Sequence, residues 1–309
     1  MIRMKNFLKK IPIPMCGLIL AIVSLGNLLK LVQFKTAGNL IGLVGIILVV
    51  IIMIKIVITF EHTKLDLKNP IIASVAPTFT MATMVVATYL NEFAKLHLLA
   101  TIIWLSALSC HILLMLYFTH YFAKKSTIHS VYPSWFIVYV GIGVGSVTSH
   151  AFSPLIGQIA FWSALFMYVV LLPIIIKKVY FIKNMHESTM PLITIIAAPG
   201  SLCLAGYLNA FANPNVVGVT VLLIFSQLIY CFVLCQLPKL LTIQFYPSYA
   251  AFTFPLVITA MAATLSDQFY TKNNYIVPMI HDLAIYETIF ATIIVTFVFI
   301  KYMHHLATK

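Results

Sequence analysis

Glu287 is the residue whose type and setting most directly suggest chemistry, because it is a carboxylate within a long apolar stretch. Ionisable side chains in such stretches are functional candidates by default. The carboxyl group could couple a proton to another process, or it could make a hydrogen bond to another helix or another subunit. The sequence has no HExxH motif, no paired carboxylates in its apolar stretches and no Cys/His cluster, so we expect no enzyme activity.

Two further patterns suggest metal or nucleotide binding at first sight, and both fit apolar packing better. Cys231 and Cys235 are one helical turn apart, but no histidine and no second cysteine pair accompany them. The run Gly141-x-Gly-x-Gly145 lies inside an apolar stretch with no preceding strand, so it is not a nucleotide-binding loop. We therefore expect neither a metal nor a cofactor.

The composition indicates which elements hold these residues. The chain is 62% hydrophobic and 8% charged, whereas about a quarter of the residues are charged in a soluble domain. Its mean hydropathy is +1.04. Such a chain must have lipid as its main solvent, and its long continuous apolar stretches favour helices over a barrel. The fold class is predicted to be all-α integral membrane.

Ten segments are long and apolar enough to span a bilayer, and the links between them are too short to form a soluble domain. A single transmembrane domain over residues 1–309 is therefore predicted. Its spans are 12–33, 37–60, 70–90, 96–122, 133–150, 155–181, 191–211, 215–238, 247–270 and 277–303.

The basic residues are distributed unevenly between the two sides of this topology. All but four of the 19 Lys and Arg residues, Arg3 and Lys309 included, lie in the termini, in links after even-numbered spans or at their edges. We call that side the lysine-rich face, and we call the side with Lys30, Lys35, Lys95 and Lys272 the lysine-poor face. Positive charge marks the cytoplasmic side, so both termini are predicted to be cytoplasmic in a multi-pass protein of the cell membrane. The net charge of +12 then needs no nucleic-acid partner.

A proline repeat divides the spans into five helical hairpins. Each odd span begins at or near a proline, and in four of them a second helix-weakening residue follows seven or eight positions later. The first span offers only Gly17 at that place. The starting prolines are Pro12 or Pro14, Pro70, Pro133, Pro191 and Pro247, and the second residues are Pro77, Gly141, Pro199 and Pro255.

Five equivalent bent helices predict a ring with the kinks at one depth and the even helices outside. Kinked backbone is tolerated in a membrane where it is buried in protein or lines a water-filled cavity. The odd spans are also rich in small and hydroxyl residues, such as Thr80 and Gly145. These residues indicate either close helix packing alone or packing around a polar pore.

Two segments carry a resemblance to a known family. The opening Ile11-Pro-Ile-Pro-Met-Cys-Gly17 and the ninth span Phe245-Tyr-Pro-Ser-Tyr-Ala-Ala-Phe-Thr-Phe-Pro255 resemble the tellurite-resistance/dicarboxylate transporter family. That family includes TehA-like bacterial proteins, fungal malate transporters and slow-type anion channels of plants. With the ten-span plan, the resemblance covers nearly the whole chain.

The resemblance implies a homotrimer in lipid, in which each subunit has its own central pore with a quasi-fivefold arrangement of helices. It also implies that a phenylalanine of the ninth span plugs the pore. By its motif this residue is Phe254, with Phe252 as the fallback. On a helix, Ala251, Ile258 and Ala262 share a face with Phe254, so one bulky ring would lie among smaller neighbours.

The expected function is an anion channel or facilitator for small inorganic or organic anions. No odd span carries an obvious buried Arg or Lys, and a tightly binding dicarboxylate transporter would be expected to clamp its substrate with cations. The alternative is a proton-coupled transporter of C4-dicarboxylates or of oxyanions such as tellurite or sulfite, with Glu287 as its proton site. Tellurite itself follows from no residue of this chain.

Overall fold

The computed structural model describes residues 2–308, without the side chains of Ile2, Arg3 and Ala94. Met1 and Lys309 of the predicted domain, and the Arg3 side chain of the charge count, lie outside the described residues. The described part is mainly helical and contains no strand. Its α-helices in chain order are α1 (Ile2–Lys10), α2 (Met15–Leu31), α3 (Lys35–Ile58), α4 (Phe60–Asp66), α5 (Pro70–Val75), α6 (Thr78–Asn91), α7 (His97–Tyr121), α8 (Trp135–Tyr139), α9 (Gly143–Thr148), α10 (Pro154–Ile176), α11 (Ala198–Ala210), α12 (Val216–Leu234), α13 (Leu237–Leu241), α14 (Phe254–Lys272) and α15 (Pro278–Thr308).

The odd-numbered spans are broken near their second proline or glycine. Pro77 lies between α5 and α6, and Gly141 lies between α8 and α9. The seventh span begins as a 3₁₀ helix, Glu187–Ala197, which continues into α11. The ninth begins as the 3₁₀ helix Pro247–Phe252 before α14. Proline removes a backbone donor and crowds the preceding turn, so the regular α-helix cannot pass through it.

The first unit bends at a different place. α2 runs unbroken through Gly17, and the chain instead turns by 84° between Met4–Lys10 and Met15–Leu31. The turn contains Pro12 and Pro14. The bend of this unit therefore lies at its starting prolines.

The structure confirms the prediction of an all-helical protein whose helices can cross a membrane. Eight helical segments within residues 2–308 are long and apolar enough to cross a membrane, and a ninth qualifies if α1 and α2 are counted as one bent segment. The predicted ten is not reached by length, because residues 133–150 form only α8, α9 and part of the 3₁₀ turn Ser149–Ala151.

Burial separates the spans into two layers. In the most apolar stretches of Pro70–Asn91, Glu187–Ala210 and Pro247–Lys272, 78%, 89% and 83% of the residues are buried. In Lys35–Ile58 and Val216–Leu234 the share is 28%. The bent segments are therefore the inner helices, and α3, α7, α10, α12 and α15 form the outer layer.

Contacts between the inner helices close on themselves. α2 contacts α6, α6 contacts α9, α9 contacts α11, α11 contacts α14, and α14 returns to α2. Each outer helix packs on the inner helix of its own hairpin and on the inner helix of the next unit. Thus α3 touches α2 and α6, and α15 touches α14 and α2.

Polar side chains at the ends of four outer helices brace the start of the inner segment in the same hairpin. Lys55 Nζ donates to the Ile11 carbonyl at 2.5 Å, and the Tyr117 hydroxyl donates to the Leu67 carbonyl at 3.2 Å. Lys178 donates in the same way to His129, and Tyr302 to Pro247. A lysine at the end of span two is expected to reach out to the interface, but Lys55 is fully buried, because the carbonyl at the first bend is its partner.

Candidate functional site

A narrow central cavity of about 50 Å³ lies inside the ring, at the level of the helix breaks. All five inner segments contribute to its wall, and most of the wall is apolar. Thr78 and Ser248 supply hydroxyl groups. The lining residues are Pro14, Gly17, Val75, Thr78, Met81, Phe136, Ile137, Val140, Gly141, Leu192, Ile195, Ala198, Pro199, Leu202, Pro247, Ser248, Ala250, Ala251, Phe254 and Pro255.

Two larger cavities flank the central one. The cavity that we call the lysine-rich vestibule has a volume of about 430 Å³, includes Lys9, Lys10 and Asp66, and shares Val75 and Ser248 with the central cavity.

On the opposite side, the lysine-poor vestibule has a volume of about 420 Å³. Its lining residues are Ser24, Asn27, Lys30, Leu31, Val85, Thr88, Asn91, Glu92, Val144, Val147, Thr148, His150, Ala151, Asn209, Phe254, Ile258, Met261 and Leu265. The central cavity therefore lies between the two vestibules, inside the ring of inner helices.

Phe254 lies where the central cavity meets the lysine-poor vestibule, and it lines both. The ring belongs to the first residue of α14, directly before Pro255. The neighbouring Thr253 hydroxyl lies 2.6 Å from the Ala250 carbonyl oxygen and 3.4 Å from the Gly17 carbonyl oxygen of α2. The break in this segment therefore positions a phenylalanine between two cavities.

Phe252 occupies a different environment. It is fully buried and lies outside the lining of all three cavities. Its ring packs edge-on against Tyr249 with the centroids 5.0 Å apart. Phe252 is a packed core residue in this arrangement.

Most of the other predicted pore residues also lie at the cavities. Gly17, Gly141, Pro199, Ala251 and Pro255 line the central cavity, and Ile258 lines the lysine-poor vestibule.

Four of the predicted residues lie behind this wall. Pro77 forms the break between α5 and α6 without lining a cavity. Ala262 is fully buried, and a Cβ on Gly145 would lie 3.1 Å from Leu108 Cδ1 of α7. Thr80 and Ala262, which are predicted to line the pore, line none of the three cavities.

Thr80 takes part in a buried hydrogen-bond pair. Its hydroxyl lies 2.7 Å from the Pro77 carbonyl oxygen, which also accepts from the Met81 backbone N–H, and 2.9 Å from His111 Nδ1. His111 belongs to α7 and is fully buried. The polar side chain of an outer helix therefore reaches the break of an inner one.

Glu287 lies in α15, away from the three cavities. Its side chain is buried beside that of Gln227 of α12. The carboxyl group is therefore placed between helices. Within residues 2–308, no group of three or more His, Cys, Asp and Glu side chains is arranged to hold a metal ion.

Lys30 is a site residue that the sequence did not single out. It lies near the end of α2, lines the lysine-poor vestibule and pairs with Glu92. From its place near the end of the first span, next to a short link, the sequence predicts only a lysine at the membrane interface. Only the assembled ring brings it to the cavity.

The comparison with known families agrees with this architecture. The profile of the voltage-dependent anion channel family matches residues 10–303, which covers every inner and outer helix of the ring. No curated protein matches the chain in a sequence search. The family match confirms the resemblance that the two short motifs indicated, and its members are channels and transporters of anions. The chain is thus a multi-pass membrane protein that belongs to the voltage-dependent anion channel family.

Proposed function

We propose that this protein is an anion channel or facilitator in which small anions pass through a central pore that Phe254 gates. The observation that carries the proposal is the position of the Phe254 ring, which lines both the central cavity and the lysine-poor vestibule. A rotamer change of one ring is a small movement. It would join the two cavities if Phe254 is the barrier between them.

The proposed pore lies within one chain and has ten crossings in a quasi-fivefold arrangement. The closed cycle of contacts from α2 through α6, α9, α11 and α14 supports this proposal. α8 and α9 together would form the short fifth crossing. The homotrimer rests on the family resemblance, and the location in the cell membrane with both termini cytoplasmic rests on the membrane class and the lysine distribution.

Weak binding is the proposed basis of selection. The central cavity is lined by apolar side chains and broken helices, and no charged side chain lines it. Its two hydroxyl groups, of Thr78 and Ser248, donate to the backbone carbonyls of Val75 and Ser188. Helix ends stabilise an anion only modestly, and conduction requires that the ion leave as readily as it arrives. The lysine-rich vestibule, in which Lys9 and Lys10 outnumber Asp66, raises the local anion concentration at its mouth.

An ion-substitution series tests this function. The purified protein is reconstituted into liposomes, and the fluxes of chloride, nitrate, malate and sulfite are compared with and without a pH gradient. We expect electrogenic flux of the small monovalent anions that does not depend on the pH gradient. Saturable malate or sulfite flux that requires the gradient would contradict the channel and favour the proton-coupled transporter.

A further inference from the structure

Lys30 is held at the wall of the lysine-poor vestibule by two contacts. Its ammonium group is paired with the Glu92 carboxylate at the end of α6. The same nitrogen lies 4.0 Å from the centroid of the Tyr89 ring, whose hydroxyl donates to the Val23 carbonyl of α2 at 2.7 Å. The Lys30 side chain is 17% exposed and the Glu92 side chain is 50% exposed. The lysine is therefore fixed in position, while its partner is partly in solvent.

The other polar groups of the vestibule are largely occupied. Asn27 donates to Thr88 at 3.1 Å, and Asn209 donates to the carbonyl of Ala205 at 2.8 Å. Asn91 donates to the carbonyl of Ala151 at 3.4 Å. The titratable residues that line the vestibule are Lys30, Glu92 and the exposed His150. Among the described residues that line this vestibule, Lys30 is the only lysine or arginine, and Phe254 belongs to the same wall.

We propose that Lys30 is the anion-recognition residue of the lysine-poor vestibule and that Glu92 is a tethered competitor for it. This inference rests on the proposed channel function. A carboxylate bonded to an ammonium group carries the same negative charge as a small permeating anion and accepts from the same N–H donors. A chloride or nitrate ion that enters the vestibule must displace Glu92 to reach Lys30, so the pair sets how strongly the mouth attracts anions.

The size of the effect follows from the exposure of the pair. A solvent-exposed ion pair is weak, and its partners exchange readily. Removal of the competing carboxylate should therefore lower the chloride concentration that gives half-maximal conductance by about two- to fivefold.

The test measures chloride conductance against chloride concentration in liposomes that contain the full chain. The variants are Glu92→Gln, Lys30→Met, Lys30→Arg and the double variant Lys30→Met/Glu92→Gln. Two controls change charge on the same face outside the vestibule. They are Lys35→Met, at an exposed lysine, and Asp267→Asn, whose carboxylate lies 2.9 Å from His281 Nδ1.

We expect Glu92→Gln to shift half-saturation to lower chloride and Lys30→Met to shift it to higher chloride. Lys30→Arg should retain nearly normal half-saturation, and in the Lys30→Met background Glu92→Gln should have little effect. Both controls should match the wild type.

Two results would overturn the inference. An equal gain from Glu92→Gln in the presence and absence of Lys30 would show that Glu92 acts only through its field at the mouth. Unchanged half-saturation in both single variants, with lower melting temperatures, would show that the pair only braces α2 against α6. Failure of the proposed function is distinguishable from either, since the wild type would then conduct no chloride.

Discussion

Phe252 and Phe254 show how much one residue's environment depends on the local helix type. The family resemblance implies that the gate is one of these two residues, because both lie in the motif of the ninth span. Residues two apart on a helix point to nearly opposite sides, but the sequence does not define which side faces the cavity. The 3₁₀ helix ends at Phe252 and α14 begins at Phe254, so Phe252 packs on Tyr249 and Phe254 lines the cavities.

For the lysines, the sequence predicts the membrane face but not the burial of each side chain. Counting them predicts which face of the membrane they occupy, but it does not separate solvent-exposed lysines from buried ones. Lys55 is fully buried against the Ile11 carbonyl, whereas Lys30 lines a vestibule. Each long, flexible side chain finds a partner that is distant in sequence, so burial is decided by the assembled ring.

Glu287→Gln tests the proton-coupled alternative at the scale of one residue. Glu287 lies outside all three cavities, so we expect the amide to leave both the anion conductance and its response to a pH gradient unchanged. The measurement is chloride and malate flux in liposomes with an imposed pH gradient. Selective loss of a proton-dependent malate flux in this variant would assign the carboxyl group a coupling role.

At the scale of elements, the prolines and glycines predict where the inner helices break, but they do not predict which helix type lies on each side of a break. The sequence predicts that the odd helices bend near Pro77, Gly141, Pro199 and Pro255, and breaks lie at or close to these residues. It does not predict the 3₁₀ helix Glu187–Ala197, since the competition between α and 3₁₀ geometry is decided by packing in the ring. The sequence also does not predict the bend before α2, because prolines at that place indicate only the start of a helix.

The pairing of α2 with α3 depends on glycines that allow close backbone contact. A Cβ on Gly26 would overlap the Tyr89 hydroxyl of α6, and it would lie 2.7 Å from the Gly38 carbonyl oxygen and 2.9 Å from the Gly42 backbone nitrogen of α3. Small residues of this kind allow membrane helices to pack closely. The backbone of α3 cannot move away locally without opening the hairpin.

Gly26→Ala should therefore destabilise the protein by about 1–3 kcal/mol, the usual cost of overpacking. The measurement is the thermal unfolding temperature of the purified protein in detergent, which we expect to fall. Gly218→Ala in α12 is the matched control, because its Cβ would meet Tyr207 Cε1 at an ordinary 3.4 Å. Equal unfolding temperatures for the two variants would mean that α2 and α3 are not held at this distance.

At the scale of the whole molecule, composition and repeat predict the membrane class and the two layers. Five bent units with buried inner helices follow from where the prolines lie and from how apolar the outer spans are. The three consecutive cavities could not be predicted, because each one needs side chains from all five inner segments. In the proposed mechanism, the ring of Phe254 closes the path between two of these cavities.

The most direct test compares the chloride conductance of Phe254→Ala and Phe252→Ala with that of the wild type, at equal amounts of correctly assembled protein. We predict that Phe254→Ala raises the conductance about tenfold or more, since lowering the barrier by about 1.4 kcal/mol is enough for a tenfold change. Phe252→Ala should lower stability, because it removes a fully buried ring, and should not raise the conductance. Unchanged conductance in a well-assembled Phe254→Ala protein would contradict the gate.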